Sequence, residues 1–191
     1  MEQTIPFVND TVAPESTETH RLRPFSLFNS ATRYNKPITI IASIGENNEL
    51  GKNGDLCWHI REDLKHFKEL TMGGAVIMGR KTWDSLPKKP LPGRTNIVIS
   101  RSEGNVGSLE EALSLAQESN IFIIGGASVY TQAMPLAILL EITRIFASDP
   151  DADTFFPPIN PEEWELTNAS EVLESPEGLR FRYETFTRIG K

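Results

Sequence analysis

The sequence predicts an α/β fold: one domain with a mixed, mainly parallel β-sheet flanked by helices and completed by an antiparallel C-terminal edge. Two patterns predict it. From Ile38 to about Pro135, short β-branched apolar runs alternate with helical segments, as in parallel sheets whose strands are joined by crossover helices. From Leu139 onward, strands follow one another directly, which indicates antiparallel pairing. Ligands of such sheets bind beyond the carboxyl ends of the parallel strands.

Each predicted element has a local signal. Buried strands are expected in the apolar runs ITIIASI (38–44), AVIM (75–78), NIVIS (96–100) and IFII (121–124). A loop rich in Gly and Asn is expected at 45–56. Ser108 and Glu111 form a capping-box signature for a helix through about Gln117. The C-terminal strands are predicted in LLEITRIFA from Leu139, WELTNASEV from Trp164 and LRFRYETFTRI from Leu179.

The domain is expected to span residues 37–191. Residues 1–36 lack apolar periodicity and carry scattered Pro, Thr, Ser and Asn, so we interpret them as a flexible N-terminal extension.

The segment WHIREDLKHFK (58–68) predicts an amphipathic helix with an acid on its apolar face. Ile60, Leu64 and Phe67 recur at the spacing of one helical face, and Asp63 lies three residues after Ile60 and four before Phe67. A buried carboxylate costs free energy unless it is hydrogen-bonded. Asp63 is therefore either a binding group or a solvated acid of the first helical turn, where the helix dipole favours negative charge.

Two strand-to-helix junctions carry features of phosphate sites. Gly79 in VIMGRKTWDSL and Gly125-Gly126 in FIIGGASVY let backbone N–H groups approach a ligand closely. Arg80 and Arg101 each follow a strand and bound a stretch with six basic residues and one acid. One such junction is usually only a turn, but two indicate an extended anionic ligand. A dinucleotide with an extra phosphate is therefore a reasonable ligand, and NADP matches that description better than NAD. The G-x-G-x-x-G fingerprint of many dinucleotide sites is absent.

Composition and charge exclude several classes of protein. The net charge of −7 argues against nucleic acid as the main partner. No apolar run approaches the roughly 18 residues of a spanning helix, and no signal-peptide pattern is present, so we expect a cytoplasmic protein without a membrane partner. Cys57 is the only cysteine, and with three histidines the chain has no spacing for a disulfide framework or a zinc site. No metal is expected.

Six motifs in order, from about Ile38 to the C-terminus, resemble the dihydrofolate reductase family. IIASIGENNELGKNGDLCW resembles that family's first strand and mobile active-site loop, WHIREDLKHFK its substrate helix, and VIMGRKTWDSLPKKPLPGRTNIVISR its signature segment. The motifs IIGGASVY, EITRI and DADTFFP complete the series. The resemblance implies that family's fold and its reaction: reduction of 7,8-dihydrofolate to tetrahydrofolate by NADPH in a monomer, with hydride transfer to C6 and protonation of N5.

The resemblance also implies roles for individual residues. Asp63 would bind the 2-amino group and ring nitrogen of the pterin, with Trp58 and Thr143 as supporting catalytic groups and Leu56 at the tip of the loop that closes over the nicotinamide. The other implied substrate-binding residues are Ile41, Leu64, Phe67, Leu91, Ile124 and Arg94, of which Arg94 would bind the α-carboxylate of the glutamate tail. The implied NADPH-binding residues are Ala42, Gly51, Gly79, Arg80, Lys81, Thr82, Ser100, Arg101, Gly125, Gly126, Ala127, Ser128, Val129 and Tyr130.

Two positions depart from the family pattern, because Cys57 and Arg61 stand where the family usually has proline. The missing prolines are expected to loosen the loop. Two alternative functions stay open. A related pterin or pyrimidine reductase on the same fold would not need Asp63 and Arg94 together, and a catalytically silent nucleotide-binding module would not need the pocket acid.

Overall fold

The structure is a computed structural model that describes residues 36–101 and 106–190. The extension predicted for residues 1–36 lies outside the described residues except for Lys36, so its flexibility stays a prediction. Lys36 Nζ donates to the carbonyl oxygen of Ala116 at 2.7 Å, which ties the start of the described chain to a distant segment.

Strands and helices alternate as predicted over the first part of the described chain. The strands are β1 (Ile38–Ile44), β2 (Glu49–Lys52), β3 (Asp55–Leu56), β4 (Ala75–Gly79), β5 (Thr95–Ile99), β6 (Ile121–Ile123), β7 (Leu139–Ile145), β8 (Thr154–Phe155), β9 (Trp164–Ala169), β10 (Leu173–Glu174) and β11 (Arg180–Arg188). The helices are α1 (Arg61–Thr71), α2 (Arg80–Ser85), α3 (Leu109–Leu115) and α4 (Ala127–Ala133).

The main sheet has eight strands in the order β10-β11-β7-β1-β6-β4-β5, with β9 also paired to β11. Within the row β7-β1-β6-β4-β5, each strand is parallel to the next. Strand β11 is antiparallel to β7, β9 and β10. The predicted mixed sheet with an antiparallel C-terminal edge is therefore confirmed.

The central strands are buried because both faces of the sheet are covered, which explains their continuous apolar runs. One core cluster joins Ile38, Ile40 and Ile44 of β1 to α3 and α4. A second joins Ile41 and Ile124 to Phe67 of α1, and a third joins Ile60 to Ile145 and Phe181. Full burial of each such side chain contributes roughly 1.5–3 kcal/mol, so the packing holds the strand ends in fixed positions.

The segment 45–56, which its glycine and asparagine content indicates to be a loop, is a β-hairpin. Strand β2 pairs with both β3 and β8 in a second, three-stranded sheet. The hairpin turns at Asn53 and Gly54, with φ of 54° and 84°. Both angles are those that a two-residue hairpin turn requires, and Asn-Gly is the dipeptide that adopts them most readily. The sequence interpretation missed this signal.

The helices differ from the predictions mainly at their ends. Helix α1 begins at Arg61, three residues after the start of the predicted segment. Helix α3 ends at Leu115 rather than near Gln117, but Ser108 caps it as predicted: its hydroxyl accepts from the N–H of Glu111 at 3.1 Å.

No helix within 36–101 or 106–190 is long and apolar enough to cross a membrane. The same residues contain no cluster of His, Cys, Asp and Glu that could hold a metal ion.

Candidate active site

Asp63 lies in the first turn of α1 and is turned toward the sheet. Its Oδ1 accepts a hydrogen bond from the hydroxyl of Thr143, on β7, at 2.5 Å. Ile60, just before the helix, is buried against Ile145 and Phe181, and Phe67 packs against the core cluster that contains Ile41 and Ile124. The helix face therefore carries Asp63 into a partly buried position, and the alternative of a solvated first-turn acid does not hold.

Burial raises the pKa of the Asp63 carboxyl above its ordinary value. The hydrogen bond from Thr143, the nearby imidazole of His66 and the Ser43 hydroxyl act in the opposite direction, but burial outweighs them. A partly buried carboxyl group with a raised pKa is a typical functional group, because it can bind a ligand that offers N–H donors.

Arg94 lies near the other end of α1. Its guanidinium donates to Thr71 Oγ1 at 3.1 Å and to the carbonyl oxygen of Pro92 at 3.2 Å. It also lies over the ring of Phe67, with its Cζ 5.7 Å from the ring centroid. These contacts hold the planar guanidinium in one orientation, and partial burial strengthens any hydrogen bond that it makes to an anion.

The remaining predicted substrate residues lie around α1 and the sheet's inner face. Leu64 is 50% exposed, so it is not a core residue and its side chain is accessible to a ligand. Leu91 packs on the core cluster of Ile41 and Ile124, and its N–H donates to Asn96 Oδ1 at 2.9 Å. Trp58 is half-buried beside Ile60; a Cβ on Gly45 would lie 2.5 Å from its ring, so glycine is required there.

A cavity of about 800 Å³ lies at the carboxyl ends of the parallel strands. Every predicted cofactor residue except Ala42 lines it, in the set Gly51, Gly79, Arg80, Lys81, Thr82, Ser100, Arg101, Gly125, Gly126, Ala127, Ser128, Val129 and Tyr130. Ala42 is 7% exposed and belongs to the core of β1. Leu56 and Ile124 also line the cavity, whereas Asp63, Phe67 and Arg94 do not.

The two glycine junctions form adjacent walls of this cavity. The N–H of Gly79 donates to the carbonyl oxygen of Gly125 at 2.8 Å. Gly125 has φ of +127°, and a Cβ on either Gly125 or Gly126 would lie 3.2 Å from Thr82 Oγ1. Side chains at these positions would fill the cradle, so the backbone itself is the surface offered to a ligand. Arg80, Lys81 and Arg101 surround it with positive charge, which suits phosphates.

Tyr130 connects this cavity to the neighbourhood of Asp63. Its hydroxyl donates to the carbonyl oxygen of Ile41 at 2.8 Å, so the carbonyl of this predicted substrate-binding residue already has one hydrogen bond. Burial, and secondarily the negative charge of Asp63, raises the pKa of Tyr130 well above its ordinary value. Tyr130 is therefore a permanent hydrogen-bond donor that joins α4 to β1.

The β2–β3 hairpin forms the remaining wall of the cavity. Leu56 lies in β3 and is 40% exposed, whereas the tip of the hairpin is formed by Asn53 and Gly54, so the prediction that placed Leu56 at the tip is corrected. The N–H of Asn53 donates to Asp153 Oδ2 at 2.8 Å. Lys52 Nζ lies 2.8 Å from Asp151 Oδ2. These contacts fasten the hairpin to the segment before β8.

Glu49, which the sequence analysis did not single out, anchors the base of this hairpin. Its side chain is buried, with 2% of the residue exposed. Its Oε1 accepts from Ser148 Oγ at 2.5 Å, and its Oε2 accepts from the N–H of Asn47 at 2.7 Å. Burial would raise the pKa of this carboxyl, but the hydrogen bonds from Ser148 and Asn47 prevail and lower it to about 2.

Cys57 follows the hairpin and is partly buried. Burial, with the negative charges of Asp149 and Glu49, raises the pKa of its thiol. A thiol that resists ionisation is a poor nucleophile.

Comparisons with known proteins agree with this geometry. A sequence model of the family described as dihydrofolate reductase matches residues 37–188. The dihydrofolate reductase of Neisseria meningitidis serogroup B is 45% identical over 159 residues, which are 79% of this chain and 98% of that protein. The Mycobacterium tuberculosis (strain H37Rv) dihydrofolate reductase is 41% identical over 149 residues, 73% of this chain and 90% of that protein. A solved structure of Enterococcus faecalis dihydrofolate reductase complexed with NADP(H) and RAB-propyl has a TM-score of 0.74 and 30% identity, and covers 82% of this chain and 99% of its own.

Proposed function

The chain belongs to the dihydrofolate reductase family, and from this premise we propose how its residues divide the work of the reaction. The protein reduces 7,8-dihydrofolate to 5,6,7,8-tetrahydrofolate with NADPH, by hydride transfer to C6 and protonation of N5. The observation that carries the division of roles is the partly buried carboxylate of Asp63, held by Thr143 beside a cavity of the size and charge that a phosphorylated dinucleotide needs.

Asp63 orients the pterin. The 2-amino group and the adjacent ring nitrogen of a pterin present two donors side by side, which is the arrangement that a carboxylate accepts best. The Thr143 hydroxyl fixes the orientation of the carboxylate, so the side chain of Asp63 does not have to rotate before its oxygens can accept from the substrate. Asp63 favours the protonated form of the pterin, and we assign the immediate proton donor at N5 to water.

Arg94 binds the α-carboxylate of the glutamate tail at the far end of α1. Its contacts with Thr71 and Phe67 pre-orient the guanidinium fork for a bidentate ion pair. Between Asp63 and Arg94, the pterin and the adjoining aromatic ring of the substrate contact apolar side chains. These are Ile41, Leu64, Phe67, Leu91 and Ile124. Trp58 supports the pterin end through its packing against Gly45.

The cavity fits NADPH. Gly79, Gly125 and Gly126 offer backbone to the phosphates, and Arg80, Lys81 and Thr82 surround the first junction. Ser100 and Arg101 are assigned to the 2′-phosphate, which distinguishes NADPH from NADH. When bound, the reduced nicotinamide supplies the hydride. Leu56 and Gly51 of the hairpin cover the cavity and exclude water from it.

The two alternative functions are disfavoured by particular residues. Asp63 lies in the first turn of α1 and Arg94 contacts Thr71 at its other end. A related reductase with a tail-free substrate would not require both groups. A silent nucleotide-binding module would not keep a buried carboxylate with a dedicated hydrogen bond, because the burial costs free energy.

Because all of these groups come from one chain, we also propose that the protein is a monomer, which sedimentation analysis tests. We propose that it acts in the cytoplasm, which cell fractionation tests.

The assay that tests the proposal follows the loss of NADPH absorbance when dihydrofolate is added. We expect turnover with NADPH to exceed that with NADH by about 10-fold or more, because charge-assisted hydrogen bonds to the 2′-phosphate contribute about 1.5–3 kcal/mol. Arg101→Gln should reduce this preference while leaving the reaction with NADH nearly unchanged. Equal rates with pterins that lack the glutamate tail would contradict the role of Arg94, and no reaction with dihydrofolate would contradict the assignment itself.

A further inference from the structure

Four side chains lie where the first half of α1 faces β7 and β11: Asp63, His66, Thr143 and Tyr183. The Thr143 hydroxyl donates to Asp63 at 2.5 Å. Tyr183 of β11 lies directly opposite Thr143 of β7 in the sheet register. The imidazole of His66 stacks on the Tyr183 ring with centroids 3.9 Å apart and an interplanar angle of 29°. His66 follows Asp63 by three residues, so the two side chains lie on one face of α1.

The stack holds the imidazole in place beside the carboxyl. Phe181 packs edge-on against Tyr183 at 5.7 Å and is itself fully buried, so the tyrosine ring is supported from behind. His66 and Tyr183 are both half-buried, which restricts the rotamers open to the imidazole. A histidine on an exposed part of the helix would have no such restriction.

We propose that His66 is a positioning residue for the reaction, and that its charge state sets how readily Asp63 ionises and so how the pterin is held at a given pH. The proposal rests on the role proposed above for Asp63. A protonated imidazole favours the carboxylate, whereas a neutral imidazole leaves the burial of Asp63 uncompensated.

The other titratable groups on the facing elements do not take this role. Burial, followed by the charges of Asp63, Glu62 and Glu69, raises the pKa of Tyr183 to about 12, so its hydroxyl stays neutral. Glu141 shares the inner face of β7 with Thr143, but its carboxyl accepts from Thr185 Oγ1 at 3.0 Å, and burial raises its pKa. Glu62 and Glu69 lie on exposed positions of α1.

Asp63 and His66 each act on the pKa of the other. Burial lowers the pKa of His66, while the charges of Asp63 and Glu69 act to raise it. Burial raises the pKa of Asp63, while His66 acts to lower it. The charge of each group therefore acts on the ionisation of the other. The pH response of substrate binding should then contain a contribution from His66.

Proton NMR of the full chain without cofactor or substrate tests the coupling directly. The chain has three histidines, so the His66 resonance can be assigned by substitution. In Asp63→Asn, the titration midpoint of His66 should fall by about half a pH unit or more, because a favourable negative charge is lost. His59, whose Nε2 lies 3.3 Å from Asp55 Oδ1, is the internal reference. An unchanged His66 midpoint would overturn the proposal.

The pH profile of kcat/KM for dihydrofolate tests whether the reaction uses the coupling. In His66→Gln, the midpoint that reports Asp63 should rise by about half a unit or more, because the carboxylate loses a cationic neighbour. Lys65→Gln is the matched control: it removes a cation from the adjacent residue, whose side chain is 78% exposed and lies 3.9 Å from Glu69. The control should keep the wild-type midpoint.

His66→Phe separates charge from stacking, because phenylalanine preserves the ring on Tyr183 but cannot titrate. It should show the raised midpoint of the glutamine variant, and it also serves if the glutamine variant does not fold. A wild-type profile in His66→Phe would assign His66 a purely structural role and overturn the proposal. Absence of dihydrofolate reduction by the wild-type chain would instead contradict the proposed function, while the NMR coupling would still be measurable.

Discussion

The two sides of the site are built in different ways. The cofactor side is a cavity with glycine backbone at its phosphate junctions, at Gly79, Gly125 and Gly126 at the ends of neighbouring parallel strands, and with basic side chains around them. The substrate side depends on one carboxylate, Asp63, which α1 presses toward β7 and β11. Adding a side chain to the glycine backbone should weaken cofactor binding, whereas removing the carboxylate should weaken the use of the substrate. This difference can be tested from either side.

Asp63→Asn should have the largest effect, and only on the substrate side. The amide keeps the shape but donates toward the pterin's own donors, so we expect turnover at neutral pH to fall by about 10²-fold or more. The loss should be smaller at acid pH, where solution supplies the proton. NADPH affinity, measured by fluorescence titration, should change by less than about threefold, since the cavity lining does not include Asp63. Turnover equal to wild type would remove Asp63 from the mechanism.

Gly125→Ala should break the cofactor side while sparing the substrate side. The alanine must adopt φ of +127° and would place its Cβ 3.2 Å from Thr82 Oγ1. We expect a stability loss of about 1–3 kcal/mol and NADPH affinity lowered by about 10-fold or more. Thermal unfolding and fluorescence titration measure the two effects.

Gly178→Ala is the matched control for this change. Gly178 has φ of +83°, but a Cβ there would meet nothing within 4 Å. It should incur a conformational cost of about 1 kcal/mol and leave NADPH affinity unchanged. A loss of affinity as large as that of Gly125→Ala would mean that global stability, not the cradle, determines binding.

Glu49→Gln should have the smallest effect on chemistry, because Glu49 supports the hairpin rather than either ligand. Its pKa is lowered from 4.5 to about 2 in the folded protein, so its contribution to stability is fully present above about pH 4.5 and is lost as the pH falls toward 2. We expect the variant to lose about 2 kcal/mol at neutral pH. The difference from wild type should shrink in acid, as followed by thermal unfolding.

Glu46→Gln gives the comparison for this prediction, because Glu46 lies in the same turn but is exposed. It should unfold at nearly the wild-type temperature at each pH. A gap between wild type and Glu49→Gln that is constant with pH would show that shape, not charge, makes Glu49 stabilising.

The amino-acid sequence by itself determined the features that depend on near neighbours in the chain. The alternation of apolar runs and helical segments was enough for the mixed sheet, because strand and helix periodicities are local. The glycines at the end of β4 and after β6 predicted where the cofactor cavity lies, because parallel strands bring their carboxyl ends to one edge. The spacing of Ile60, Asp63 and Phe67 placed the acid on the apolar face of α1. The turn at Asn53 and Gly54 was equally local, and was missed although its signal was present.

Only the tertiary structure decided the contacts between distant segments. The partner of Asp63 is Thr143, 80 residues away, and that of Glu49 is Ser148, 99 residues away. The stacking of His66 on Tyr183 needs α1 to lie across β11, a position that no local pattern specifies. The pKa of a carboxyl group follows from its burial and its partners together, and both exist only after the chain has folded.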